Sequence, residues 1–441
     1  MSGLKWIAAI VFAAAVILVP AAQEGAGGTV QSLSLVGVNY STFGVAGCDF
    51  NGYGIVASGE GHRGLIRRQL AAMRAAGTQT LRTFIWSMHD ASGQRWGVVS
   101  SAGGRLGSTE TTNLINFVSD VRRLGFLRLE VAFSPQWTND PIGYPENQYD
   151  PSLFDENWQL IRYVRGIVKQ YGGPLDTRFD ILNEGAASDY LATKTQLEDY
   201  VAHMYSNYVD AFGNGDVTVS SIVAANDQSR IANLIDTLRS TGRPLPTWFE
   251  VHAYSTDVLA DLRATDATLS GKGLSQPITL GETYYDDPSA ASAVATFVNT
   301  SSRHLDEALA WPLARGSSCQ AISVPPPYKA DAFITALTGS PPPHGVAVTV
   351  GPGRTLTLTT PYGQPVTALE GGVYSFTVVD RSKTDNVHIT GPGVDVATGQ
   401  RFRGHKTWML RLRPGTYRYR SDRSKSHLKG AFSVLAAGRT S

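Results

Sequence analysis

The sequence predicts an α/β protein, a (β/α)8 TIM barrel followed by a small all-β sandwich domain. Three observations predict it. From Leu33 to Leu313, short β-rich apolar runs alternate with stretches of helical period, the mark of parallel βα units. The apolar runs number eight, which is the number that closes a parallel barrel. Beyond Ser340 the helical period gives way to residue-by-residue alternation broken by turn signals, a sandwich pattern of about a hundred residues.

In chain order the first four predicted strands are Leu35–Tyr40, Thr80–Trp86, Leu127–Phe133 and Arg178–Asn183. The next four are Val217–Ser220, Trp248–His252, Ile278–Gly281 and Glu307–Trp311. Three intervening helices show their core stripes: Leu65, Leu70 and Met73 before Gly77; Leu114, Phe117, Val118 and Val121 before Gly125; and Leu160, Ile161, Val164, Ile167 and Val168 before Gly172. Each glycine stands where a helix needs a left-handed residue to stop. A last helix is expected over Ala330–Leu337, so the barrel domain spans 29–339. The proline run in 340–345 reads as a stiff linker, and the sandwich fills 346–441. Its predicted strands are Val346–Val350, Thr355–Leu358, Val373–Val378, Trp408–Leu412, Tyr417–Tyr419 and Phe432–Val434.

Residues 1–28 read as a secretory signal peptide and leader: Lys5, an apolar run from Trp6 to Val19, small residues at Ala21 and Ala22, then a polar stretch. The apolar run is shorter than the ~20 residues that cross a bilayer, so cleavage and a secreted, extracellular product without a membrane span are expected. In that compartment Cys48 and Cys319, the two cysteines of the chain, are expected to form a disulfide. They follow the first and eighth strands, which barrel closure makes neighbours.

Catalytic groups of such a barrel sit where strands end at its carboxyl face. Asn183-Glu184 closes the fourth strand and Gly281-Glu282 the seventh, on opposite sides of the mouth. Hydrolysis of a glycosidic bond needs two carboxyl groups in different protonation states, and this pair supplies them. Arg82, inside the apolar second strand, is too costly to bury unpaired, and Glu282 is its natural partner. Asp180 and Glu250 lie within strands and read as members of a barrel-interior ion pair. Trp137 and Tyr284 stand near strand ends, where an aromatic ring suits the C–H face of a sugar. Trp86 is a weaker candidate of the same kind. The chain has no Cys/His cluster and no glycine-rich phosphate loop, so neither a metal nor any other cofactor, and no nucleic acid, is expected.

Leu182-Asn183-Glu184 together with Gly281-Glu282 resembles clan A glycoside hydrolases, especially the family 5 cellulase and mannanase group, over Leu33 to about Leu337. The resemblance implies Glu184 as acid/base, Glu282 as nucleophile, and Asn183 as a ligand of the sugar 2-hydroxyl. It also implies that Arg82 keeps the nucleophile ionised and, with His252 and Tyr254, belongs to the substrate-binding residues, and that Trp311 forms a floor for a sugar ring. The expected partner is a β-linked glycan, cleaved with retention. A non-catalytic carbohydrate-binding barrel is the alternative. The choice of sugar, and endo against exo action, depends on loop contacts.

The tail from Val373 to Val434 resembles a cupredoxin-like domain, in Asn386–Gly393 and Gly415–Asp422 above all. It departs from that pattern at the metal, with Ser421, Ser424 and Leu428 where copper-binding members carry Cys, His and Met, leaving His388. A blue-copper site requires a thiolate, so copper electron transfer is not expected. After Ser340 there are 14 Lys/Arg against 5 Asp/Glu, a charge of +9; the remainder, 38 − 14 = 24 against 37 − 5 = 32, carries −8. Such asymmetry suits attachment of the basic domain to an anionic cell-wall or glycan polymer, or else a solvated face that keeps the domain soluble.

Overall fold

The computed structural model describes residues 33, 35–43, 54–75, 77–92, 97–143, 149–284, 288–311, 333, 337, 344–351, 353, 355–359, 365–423 and 427–435. Cys48, Cys319, the leader and most of the proline-rich linker lie outside the described residues. Among the described residues no helix is long and apolar enough to cross a membrane.

The first domain is a (β/α)8 barrel. Its strands are β1 (Leu35–Asn39), β2 (Thr80–Met88), β4 (Arg128–Pro135), β5 (Asp176–Asp180), β6 (Val217–Thr218) with β7 (Ser221–Val223), β8 (Phe249–Ala253), β9 (Ile278–Tyr284) and β10 (Leu305–Trp311). A two-residue strand, β3 (Val99–Ser100), pairs with the end of β2. The sheet runs β6-β5-β4-β2-β1-β10-β9-β8-β7. Every one of these pairings is parallel. Its two ends, β6 and β7, are consecutive in the chain and parted by Val219 and Ser220, so the chain itself closes the ring; β6 covers the first half of the predicted fifth strand, Val217–Ser220, and β7 begins just past its end. That break is a correction to the continuous strand expected there, and Ser220 explains it below.

Helix α1 (Ile55–Ser58) and helix α2 (Arg63–Ala75) follow β1, while α3 (Ser108–Arg123) and α4 (Phe154–Gly172) follow β2 and β4. Then α5 (Lys194–Phe212), α6 (Ser229–Ser240), α7 (Val258–Gly271) and α8 (Pro288–Thr300) follow β5, β7, β8 and β9. The stripes of α3 and α4 are buried as their spacing requires: Leu114, Phe117, Val118 and Val121, then Leu160, Ile161, Val164, Ile167 and Val168. Each such side chain contributes about 1.5–3 kcal/mol by leaving water. Gly77 and Gly125 do adopt left-handed backbone after their helices. Gly172 does not: it is the last residue of α4, and Gly173, at φ 59°, makes the turn.

The second domain is a sandwich of a four-stranded sheet, β12-β11-β14-β17, and a five-stranded sheet, β13-β19-β18-β15-β16. The first comprises β11 (His344–Val350), β12 (Leu356–Thr359), β14 (Gly372–Asp380) and β17 (Gly404–Leu412). The second comprises β13 (Ala368–Glu370), β15 (His388–Gly391), β16 (Val394–Ala397), β18 (Gly415–Arg420) and β19 (Lys429–Leu435). Strand β11 starts at His344, inside the stretch expected as linker. The inner faces meet in their own core, with Phe376, Tyr417 and Phe432 among its members.

Both ring nitrogens of His388 are committed to carboxylates, Nδ1 to Asp422 at 2.7 Å and Nε2 to Asp395 at 2.6 Å. Burial would lower the imidazole pKa, but the two aspartates outweigh it and raise it. A histidine whose folded pKa exceeds its unfolded value stabilises fully below about pH 6.5, and that contribution is lost as pH rises through the folded value. The sandwich should therefore melt at lower temperature at pH 9 than at pH 6, the stability difference being less than about 1 kcal/mol for ion pairs that are partly exposed. Calorimetry of the full chain checks this, and Asp422→Asn should narrow the difference.

Candidate active site

The barrel interior is organised by Arg82 on β2, whose side chain is wholly buried. Nε lies 2.6 Å from Glu130 on β4 and 2.9 Å from Glu250 on β8. Nη2 donates to Asp180 at the end of β5 (2.7 Å) and to Asn183 Oδ1 (2.8 Å), and Nη1 donates to Glu282 Oε1 (2.6 Å) and Asn39 Oδ1 (3.3 Å). The expected Arg82–Glu282 pair is present, and Asp180 and Glu250 are in the interior ion-pair network. Burial would lower the Arg82 pKa, but Glu250, Glu282, Glu130 and Asp180 outweigh it and hold it well above the ordinary value. Burial and the neighbouring Glu250 push Glu130 well above the carboxylate range, and the same causes, against Arg82, lift Asp180 to about 6.

The two glutamates reach the same space by different local routes. Strand β5 stops at Asp180, so Ile181–Glu184 is a turn and not the strand end expected. Glu184 sits at φ 56°, a left-handed conformation unusual for a side chain of this size. Its backbone N–H donates to Ser220 Oγ at 2.7 Å, and that hydroxyl donates to Asp180 Oδ2 at 2.7 Å. Ser220 leaves the sheet ladder to make these bonds, which is why the fifth strand is broken. Glu282, inside β9, is reached through Gly281, because a Cβ there would collide with Glu250 Oε1. Asn39 Nδ2 donates to the Gly281 carbonyl at 2.8 Å.

His252 joins the two. Its Nδ1 lies 3.0 Å from Glu184 Oε1 and 3.6 Å from Glu282 Oε1, and Nε2 lies 3.4 Å from Glu250. One oxygen of each of Glu184 and Glu282 and a ring nitrogen of His252 all lie within 4.8 Å of one another. Tyr254 donates to Glu282 Oε2. Burial would lower the His252 pKa, but Glu282, Glu184 and Glu250 outweigh it and raise it to about 10. Burial would raise Glu184, yet the hydrogen bond and charge of His252 hold it below the ordinary value. Burial raises Glu282, against the pull of His252 and Arg82.

The site residues expected from sequence thus fall into two groups. Arg82, Asn183, Glu184, His252, Tyr254 and Glu282 form one hydrogen-bonded cluster. Arg82 and His252, expected as substrate ligands, are wholly buried and touch carboxylates, so any influence they have passes through those groups. The aromatic residues stand around the cluster. Tyr284 packs on Tyr254 with ring centroids 5.1 Å apart, and Trp311 meets Phe84 edge-on at 5.6 Å. Phe84 stacks on Trp86 at 4.9 Å and carries the Arg82 guanidinium over its ring at 4.7 Å. Trp137 follows β4 on the same rim and is half-buried. It and Glu184 are the two non-glycine residues with positive φ among the described residues. Sequence reasoning missed Glu130, Asn39 and Ser220; the first two lie inside predicted apolar strands, where a lone polar residue is the available signal.

No protein-family model matches the chain, and no curated protein matches it. Among solved structures, the chain is similar in fold to a family GH5_18 protein from Streptomyces cattleya in complex with Manb1-4GlcNAc. That pair shares 15% identity at a TM-score of 0.46, over 73% of this chain and 86% of that one. A GH5_18 protein from Bifidobacterium longum subsp. longum, with the same disaccharide, gives 12% identity and a TM-score of 0.48 over 76% and 84%. A modular family 26 endo-beta-1,4-mannanase from Cellulomonas fimi gives 12% identity and a TM-score of 0.42 over 92% and 94%.

Proposed function

We propose that this protein is a secreted retaining glycoside hydrolase acting on a β-linked glycan. The observation that carries the reading is the close approach of Glu184 and Glu282 from opposite strands, their oxygens within 4.8 Å. Retaining enzymes set their carboxyl groups about 5–5.5 Å apart, inverting ones about 6.5–9.5 Å to admit a water between them. A left-handed Glu184, held by Ser220, supports the same reading, because backbone strain of this kind gathers at functional sites.

Contacts support the roles. Arg82 and Tyr254 both hydrogen-bond Glu282, which supports its anion as nucleophile against the burial that raises its pKa, and among the described contacts neither hydrogen-bonds Glu184. Glu282 attacks the anomeric carbon while Glu184 protonates the departing glycosidic oxygen, leaving a glycosyl ester on Glu282. Glu184 then takes a proton from water, whose oxygen displaces Glu282 and restores both groups. In the free protein the proton of this cluster rests on His252 and Glu184 is ionised, so Glu184 must be protonated before it can donate. The Nδ1 contact of 3.0 Å is a direct path for that transfer. Asn183, with Oδ1 taken by Arg82, keeps its amide hydrogens for a sugar hydroxyl.

Proton NMR of the freshly formed sugar tests the mechanism. The β anomer should appear first and mutarotate afterwards; initial release of the α anomer would overturn double displacement. A panel of β-linked polysaccharides, read by reducing-sugar release, identifies the substrate.

A further inference from the structure

Part of the second domain's excess positive charge lies on a surface that the barrel reading does not use. Strand alternation in the five-stranded sheet turns Tyr417 and Phe432 into the core and puts Thr416, Arg418 and Arg420 of β18, with Lys429 and Ala431 of β19, on the outer face. All five are exposed. Register places Arg420 directly opposite Lys429 on one side and His388 on the other, with Arg418 opposite Ala431 and Thr390. Three basic groups therefore stand in one row across three neighbouring strands, and a fourth lies one pleat away. Like charges directly opposite each other destabilise a sheet, so this row costs the fold something.

The aspartates of that face do not remove the charge. Asp395 and Asp422 are both engaged by His388, and Asp422 also lies 3.5 Å from Arg420. Among the described residues no carboxylate lies within ion-pair distance of Arg418 or Lys429. The cations are neighboured on this face by the short side chains Ala431, Thr390, Thr416 and Ala397, with Asp395 opposite Thr390, a surface suited to an extended chain.

We propose that the outer face of the five-stranded sheet, centred on Arg418, Arg420 and Lys429, binds a linear glycan bearing uronic-acid carboxylates. Adjacent strands are about 4.8 Å apart, close to the advance of one pyranose per residue, so Arg420 and Lys429 can meet successive sugars while Arg418 reaches in from one pleat away. An arginine fork also matches a carboxylate in two hydrogen bonds. The inference stands on this domain alone and does not require the barrel to be a hydrolase.

Native-gel retardation of the full chain in polygalacturonate tests it. This α-linked probe lies outside the β-glycan class proposed for the barrel, so binding is read apart from turnover. Retardation is expected with polygalacturonate, and it should largely disappear with the fully methyl-esterified polymer. The triple variant Arg418→Gln, Arg420→Gln, Lys429→Gln should bind roughly a hundredfold more weakly, at about fivefold per cation. A triple with the same charge change elsewhere, Lys383→Gln, Arg401→Gln, Arg411→Gln, should keep most of the affinity. Equal loss in both triples would overturn the site in favour of net charge alone. Equal retardation by the esterified chain, or tighter binding of polyphosphate than of polygalacturonate, would overturn the carboxylate assignment. Circular dichroism of both triples confirms that each is folded, as substitution of exposed side chains should allow.

Discussion

Replacing Glu282 by alanine is expected to lower kcat by about a millionfold on any glycoside, the scale on which removal of a covalent nucleophile acts. The loss should be insensitive to the leaving group, because without a carboxylate at this position no glycosyl ester can form. Glu184→Ala should behave differently. General acid catalysis contributes about 10²- to 10⁴-fold, and a nitrophenolate leaving group needs little protonation, so activated aryl glycosides should retain much of their first-step rate while natural substrates lose theirs. A burst of aryl alcohol followed by slow turnover would show that the second step still lacks its base. Equal losses on activated and natural substrates would remove Glu184 from the acid role. Parent protein that binds an oligosaccharide by calorimetry but releases no sugar would favour the non-catalytic binding barrel.

The barrel was legible because its signal is repetitive: eight apolar runs and the stripes between them each bury against the same core, and α3 and α4 fall where their spacing puts them. The carboxylates were legible because they stand close to strand ends, Glu282 near the end of β9 and Glu184 in the turn after β5. What could not be read is how the polar interior is wired. Glu130 and Asn39 lie in strands that otherwise look like plain core, and only barrel closure brings them within reach of Arg82. The break at Ser220 is similarly invisible, since Val217–Ser220 has good strand composition and is interrupted by a tertiary demand, the support of Glu184. In the sandwich, β13, β15 and β16, each three or four residues long, were not predicted as strands.

The wiring itself yields the second large effect. Arg82→Met keeps much of the side-chain volume but leaves Glu130, Asp180, Glu250 and Glu282 buried around a group with no charge. Breaking a buried ion pair from one side costs about 3–5 kcal/mol, enough to lower the melting temperature of the barrel by many degrees. The pH dependence separates this from a packing defect. Without the guanidinium the folded-state pKa of Glu130, Asp180 and Glu282 rises further above the unfolded value near 4, and Glu250 loses the charge that now holds it below its ordinary value. A carboxyl with a raised folded pKa favours folding at low pH and penalises it as pH climbs through the interval between the two values. The gap in melting temperature between parent and variant should therefore widen from pH 5 to pH 8, whereas loss of packing alone would keep it constant. The Glu282 pKa, already raised by burial, should rise further at the same time. Turnover by the folded fraction should then fall, and its acidic limb should shift to higher pH, as expected if Arg82 acts on the reaction through Glu282 and not by touching the sugar.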